Sequence, residues 1–473
     1  MTALGAVFLV VLAVIAAREP KQILLVACLA MPFEDSAVVN VGPLTVGPYY
    51  TALIALVLMT ARGELTPKLH TEAAARAGWV WKTLLIYVTL LSLLAPFVFR
   101  GLGVVASGLG LDEQYRKLSV LQFSVSNVAQ VVYLSLNIYM LLHVLNGGRF
   151  RRSWLATGLL LGLLTATSAI VIESLSLDWP HFLFDNSIRG FYAPVAESYL
   201  RTRGQFSEPS HLGAFAVTAL AFGIGLWSEH SSQRYKRMAG GILLTALACI
   251  WFSGSATGLT ATLCLGILAA AGFFYRLIVH RRLSLPGLFS LLTITAIAPL
   301  CWRQVYAYLE TEYSGKQITQ SYLTRSFVDA NAVDLLFKSW GFGVGLGSNQ
   351  ASSLALALIS SMGVVGFVTF LLGVVLMMQR ARLSGKYAEP WAILGFLCAG
   401  FVSFADITAP FFWLCLAGCA IARTQESVKT LGLVDRNSEM QRSRILINIR
   451  LAQDTNVGEN NVRLALDREN SRK

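Results

Sequence analysis

"LLIYVTLLSLLAPFVF", residues 84–99, runs sixteen positions without a charge. The run is continuous rather than alternating, which excludes the wall of a β-barrel. A helix that crosses a bilayer needs about 20 mostly apolar residues, and this stretch supplies most of one. "GAVFLVVLAVIAA" (5–17) and "LLLGLLTATSAIVI" (159–172) read the same way. Composition agrees: the 473 residues are 55% apolar and only 14% charged. A soluble chain carries about 25% charged residues. Mean hydropathy is +0.59. The fold class expected is all-α, a polytopic integral membrane protein with about 13 transmembrane helices. They start near residues 2, 21, 44, 79, 120, 153, 209, 238, 256, 286, 351, 389 and 408. The second is short, strongest over Gln22–Met31, and also fits a re-entrant segment.

The net charge of +12 invites a nucleic-acid reading, and the placement of the charges argues against one. Eighteen lysines and arginines fall in residues 18–21, 61–78, 146–152, 228–237, 276–285 and 379–388, with Lys82 counted among them. The alternate short loops hold three: Arg100, Arg116 and Lys117. This is the positive-inside pattern. It puts the first set in the cytoplasm, the N-terminus outside and the tail inside. The apolar run at the N-terminus has its positive charges after it, so it reads as a retained span rather than a cleaved signal. The seven cysteines (28, 249, 264, 301, 398, 415, 419) sit in apolar runs without metal-ligand spacing. They read as small core residues.

This topology leaves two long outer loops, about 174–208 and 303–350, and divides the chain into a membrane domain, 1–423, and a polar cytoplasmic tail, 424–473. In the tail, "SEMQRSRILINIRLA" fits either an amphipathic helix on anionic lipid or an unstructured segment. Each long loop carries arginines and leads into a span whose N-terminus faces outward. Helix N-termini present free N–H groups and partial positive charge. With arginines beside them they suit an anion.

The first loop ends in "LRTRGQFSEPSHLGAF" (200–215). Ser207 can cap a helix entered through Glu208 and Pro209, since proline and acidic groups suit a first turn. Arg201 and Arg203 are candidate phosphate ligands, or interfacial arginines on lipid headgroups. Glu208 and His211 lie three apart on one helix face. A carboxylate beside an imidazole can serve as a base toward a hydroxyl, or simply as an interfacial hydrogen bond. In the second loop, "LTRSFVDANAVDLLFKSW" (323–340) has helical apolar spacing, with Arg325 near its start. "GFGVGLGSN" (341–349) follows. Glycine-rich backbone can offer N–H groups to phosphate, which makes Gly345 and Gly347 candidates. No GxxxxGK[ST] motif occurs, so no nucleotide site is expected.

These segments resemble a family. "RGQFSEPSHLGAF" is similar to the R-x-G-x-F-x-E-P signature of the O-antigen polymerase and ligase superfamily. "LTRSFVDANAVDLLFKSWGFGVGLGSN" followed by "LISSMGVVGFVTFL", with Gly363 and Gly366, resembles its second signature. "WFSGSATGLTATL" resembles a short turn that precedes another of its spans. The resemblance covers roughly residues 150–410. It implies a glycosyltransferase of the bacterial inner membrane with its two long loops in the periplasm. The enzyme would move oligosaccharide from an undecaprenyl-diphosphate carrier to an acceptor, with a chain-length regulator as an expected partner. Carried over by position, Arg203 and Arg325 match the diphosphate-binding arginines, with Arg201 a weaker candidate. Glu208 matches a glutamate that is structural or orients the acceptor. Arginine suits the chemistry, because its charge is permanent and its fork donates two parallel hydrogen bonds to phosphate oxygens.

The ligase branch usually carries a histidine near the second glycine-rich turn. Residues 303–361 contain none, and only His181 and His211 fall on the outer side. A polymerase is therefore favoured. A ligase with a lipid A core acceptor and a polysaccharide transporter or flippase are the rivals. A transporter should carry ionisable residues at mid-membrane, whereas here they gather in the outer loops. The expected reaction needs no metal and no cofactor, because the outer loops have no D-x-D cluster.

Overall fold

The computed structural model describes residues 1–42, 44–65, 72–106, 117–187, 202–229, 232–280 and 320–421. The apolar runs fold as helices because a helix satisfies its own backbone N–H and C=O groups, as a chain without water must. They are α1 (Ala3–Arg18), α2 (Ile23–Ala30), α3 (Pro48–Ala61), α4 (Glu72–Val98), α5 (Val125–Leu145), α6 (Arg152–Ser174) and the single turn α7 (His181–Phe184). Then come α8 (Pro209–Glu229), α9 (Gln233–Phe252), α10 (Ala256–His280), α11 (Gln320–Lys338), α12 (Leu354–Leu383), α13 (Ala388–Ser403) and α14 (Pro410–Ala420). Two small antiparallel ribbons, Val39–Val41 with Leu44–Val46 and Gly103–Val104 with Ser119–Val120, are the only strands among the described residues.

The protein is mostly helical. Five helices, α4 from Ala75 onward, α5, α6, α8 and α12, are long and apolar enough to cross a membrane. Shorter apolar helices, α1, α2, α3, α13 and α14 among them, fill in around these. α4 contains the stretch quoted first up to Val98. Pro96 withholds an N–H from the turn before it, and the helix ends two residues later at Val98. Leu90, Leu94 and Phe97 on α4, and Val7, Val10 and Val14 on α1, are exposed. So broad an apolar exterior suits hydrocarbon rather than water. α2 is eight residues long, and six of them are buried. The span expected from residue 286 and the tail at 424–473 lie outside the described residues.

Close packing rests on small residues. On α6, a side chain at Gly158 would meet the Cys28 carbonyl at 2.1 Å, and one at Gly162 would meet Pro32 at 2.5 Å. A small-xxx-small pair of this kind lets two helices touch backbone to backbone. α8 is the centre of the bundle, with 83% of its apolar window buried.

The two ends of the bundle differ. At one end Arg152, at the start of α6, reaches Glu389 at the start of α13, with Nε and Nη2 each 2.6 Å from a carboxylate oxygen. The same guanidinium also bonds Glu229 at the end of α8. Glu229 accepts in turn from the Ala388 N–H at 2.6 Å. Both carboxylates are buried, so this is a closed ion network that ties three helices. The basic segments 146–152 and 379–388 belong to this end. At the other end, the termini of α2, α3, α5, α8, α13 and α14 surround an open cavity.

Candidate functional site

The cavity has a volume of about 620 Å³. Its polar lining includes Glu34, Asp35, Glu208, His211, Arg325 and Asp406. Tyr49, Tyr50 and Tyr133 supply an aromatic wall. Tyr50 and Tyr133 stack with centroids 4.2 Å apart. The Tyr50 hydroxyl donates to the Thr408 carbonyl at 2.6 Å, and the Tyr49 hydroxyl to Asn137 at 2.7 Å. Those bonds fix the wall to α5 and to the turn before α14.

Arg325 enters from α11, the helix expected over 323–340. That helix is docked by Asp329, one turn on, which accepts from the Ser352 N–H at 2.8 Å. Asn331 donates to Asn349 at 3.4 Å. These contacts hold α11 against the glycine-rich turn and aim Arg325 at the cavity. Its Nη1 donates to Ser403 Oγ at 2.7 Å. Among the described residues no carboxylate pairs with it, so its charge is available to an anion in the cavity.

Arg203 differs from the expectation. Its guanidinium lies 3.3 Å from Asp35 and 2.5 Å from Asp185, and it also donates to the Ser207 carbonyl at 3.3 Å. In this structure Arg203, expected to bind diphosphate, joins Asp185 of its own long loop to Asp35 of the segment after α2. It is not part of the cavity lining. Its neighbours are anchored as firmly. Gln205 donates to the Gly162 carbonyl at 2.8 Å, and Phe206 is fully buried. Arg201 lies outside the described residues.

The Glu208–His211 pairing is also corrected. Glu208 accepts from Ser210 Oγ at 2.9 Å. His211 Nδ1 instead lies 2.6 Å from Glu34 Oε1. Ser207, expected to cap α8, donates to the same Glu34 oxygen at 3.0 Å. The Glu208 carbonyl takes the first helical bonds, from the His211 and Leu212 N–H groups at 3.1 and 3.2 Å. Glu208 and His211 both still line the cavity. Glu34 and Asp35 went unread in the sequence. The signal was there: two adjacent acidic residues just beyond the short apolar run that ends at Met31, after Pro32 and Phe33. Burial, with Asp185 and Glu34 close by, pushes the Asp35 carboxyl up to about 7 against the opposing pull of Arg203.

The glycine-rich turn is structural at Gly345. Its N–H donates to the Ser361 carbonyl at 2.8 Å, so the expected phosphate donor is already used. Gly343, Gly345 and Gly347 have φ of 85°, 90° and 77°, and a Cβ on Gly347 would meet the Ser126 carbonyl at 2.5 Å. Only glycine fits both demands. The turn inserts into a break in α12 at Gly363, where φ is 65°. Gly347 reaches the cavity wall, while Gly345 does not. Asp406 closes the last turn, accepting from the Thr408 N–H and hydroxyl at 2.7 and 2.6 Å. Among the described residues no group of three or more His, Cys, Asp or Glu side chains is arranged to hold a metal ion.

Among the described residues the cavity therefore presents the Arg325 guanidinium, an imidazole with several carboxylates, and an aromatic wall. No family model matches the chain, and no curated protein does.

Proposed function

We propose that the protein is a membrane glycosyltransferase that polymerises oligosaccharide repeat units carried on undecaprenyl diphosphate, for O-antigen or exopolysaccharide synthesis. In this reading the chain crosses the bacterial inner membrane about 13 times, and the cavity opens to the periplasm. One observation carries the proposal: Arg325 faces a 620 Å³ cavity at the end of an apolar bundle, held by a serine rather than by a carboxylate. A ligand reaching it combines an anionic group with a lipid that can lie among the helices. Orientation follows from charge, since the basic segments lie at the end away from the cavity.

The acceptor sugar hydroxyl attacks the anomeric carbon of the donor glycan, and the bond to the phosphate oxygen breaks. Negative charge grows on the leaving diphosphate. Arg325 is placed to neutralise it through two parallel hydrogen bonds, and one preorganised donor of this kind contributes about 3 kcal/mol. The tyrosine wall offers apolar faces to sugar rings, and Glu208 offers acceptors to sugar hydroxyls.

Reconstitution tests the proposal. Purified protein incubated with undecaprenyl-diphosphate-linked repeat unit alone should give a ladder of longer lipid-linked glycans on a gel. Transfer that needs added lipid A core would make the protein a ligase. Intact lipid-linked sugar under both conditions would favour a transporter and sink the enzyme reading.

A further inference from the structure

We infer that Trp340, with Phe337 and Phe342 beside it, is seated in the headgroup–acyl boundary of the bilayer at the cavity end of the bundle, and that the adjoining cavity wall lies below that boundary. The inference rests on the membrane setting of the helices and not on the glycosyl-transfer reading.

The three rings are displayed on a pinned backbone. Phe337, at the end of α11, is 73% exposed, Trp340 79% and Phe342 50%. Trp340 holds a φ of 54°, a conformation uncommon outside glycine. The Gly341 N–H donates to the Leu336 carbonyl at 2.8 Å, and the Gly343 N–H to Ser339 Oγ at 3.0 Å. The Val364 N–H donates to the Gly341 carbonyl at 2.9 Å. A firmly held turn that points aromatic rings outward marks a contact surface.

Continuity identifies the occupant. On α4, Leu90, Leu94 and Phe97 are exposed, and on α12 so are Val364, Val365 and Val368. These stripes belong to two of the membrane-crossing helices, and the turn joins them. Val364 makes the bond just given, and Tyr87 Oη of α4 lies 3.5 Å from the Phe342 carbonyl oxygen. Phe99, just past α4, packs edge-on against Trp340 with centroids 5.9 Å apart. The patch thus extends a surface that lipid covers, which favours lipid over a protein partner.

The level follows from α4. Trp79 and Phe97 are both exposed on it, and their separation along the axis is about 27 Å at 1.5 Å per residue. The hydrocarbon core is about 30 Å thick. Lys82 Nζ, 5.5 Å from the centre of the Trp79 ring, marks the basic end. Phe97 then marks the opposite boundary, and Trp340 meets the chain there through Phe99. An indole suits that level, since its ring is apolar and its N–H meets headgroups and water. Arg100, exposed directly after Phe99, offers charge to lipid phosphate. Beneath this level the Leu346 N–H donates to Ser92 Oγ at 2.9 Å. Ser92 lies about 7 Å before Phe97 along the helix axis. Leu346 and Gly347 line the cavity, so a ligand held in the membrane by its tail reaches this wall without leaving the bilayer.

The test uses the full-length protein in lipid nanodiscs, with fluorotryptophan at its ten tryptophan positions. The fluorine signal absent from Trp340→Phe is that of Trp340, and Trp340→Tyr assigns it independently. Lipid carrying a doxyl group just below the headgroup should remove most of this signal's intensity. A doxyl group at the acyl terminus, or a gadolinium chelate in the water, should remove much less. Strong loss to the aqueous chelate with none to either lipid would put the ring in water and overturn the inference. Strongest loss to the terminal doxyl group would put it in the bilayer interior and overturn the assigned level. Insensitivity to all three would mean that protein covers the ring, a second copy or another partner, and would overturn it equally. No substrate enters the measurement, so an absent glycan ladder would count against the glycosyltransferase while the seat of Trp340 would still be decided.

Discussion

The two ends of the helix bundle use charge in opposite ways. At one end Arg152 is satisfied from both sides by Glu229 and Glu389, and both carboxylates are buried. That guanidinium is taken up by the two carboxylates. At the other end Arg325 has, among the described residues, a serine for its side-chain partner, and the acidic groups around it face a cavity. The contrast extends to the two arginines read from the long loops. Arg203 sits near the cavity but is spent on Asp35 and Asp185, while Arg325 is available. Proximity to a site does not make an arginine a ligand for it. The partners it already has decide that.

The sharpest test of the contrast is Arg325→Ala. It should abolish polymer formation in the reconstituted assay and leave the thermal unfolding midpoint near that of the wild type. Arg325→Lys should recover little, because a point charge replaces a planar fork. Full activity in the lysine variant would remove the bidentate argument.

Glu389→Gln should do the reverse at the opposite end. Removing one partner of a buried pair costs about 3 kcal/mol or more, so the melting temperature in detergent should fall clearly. Donor affinity, measured on the fraction that remains folded, should hold. Loss of donor binding without loss of stability would break the division between the two ends.

Gly347→Ala probes the cavity wall itself. Positive φ and the 2.5 Å approach to the Ser126 carbonyl cannot both be kept. A cost of about 1–3 kcal/mol is expected, read as a lower melting temperature.

The smallest effect is a slope. The Asp35 carboxyl is raised from an ordinary value of 3.8 to about 7 in the folded protein. Between those values the native state keeps a proton that the unfolded state releases, so stability falls as pH rises through that window. Asp35→Asn should flatten this part of the melting-temperature profile against pH. An unchanged slope would show that other groups govern it.

Much of the architecture was legible in sequence. The uncharged run at 84–99 became the C-terminal part of α4, and most of 323–340 falls in α11, Gln320–Lys338, because helical periodicity is a property of consecutive residues. Pro209 stands at the first position of α8, as its backbone chemistry requires. The glycines at 343, 345 and 347 stood out by spacing, and at Gly345 the N–H read as a phosphate donor is taken by the Ser361 carbonyl. Phosphate cradles and tight packing draw on the same residue, and only the neighbours tell them apart.

What the sequence by itself determined is the set of apolar helices, the sorting of basic residues to one set of loops, and the presence of arginines, acids and a histidine in the other. The tertiary structure decided the pairings: Glu34 rather than Glu208 for His211, Asp35 and Asp185 for Arg203, and Glu229 with Glu389 for Arg152. The physical reason is one of range. An apolar run declares itself within twenty residues, because each residue meets the same solvent. The partners of a buried charge come from wherever helix packing brings a second chain segment, here up to 237 residues away.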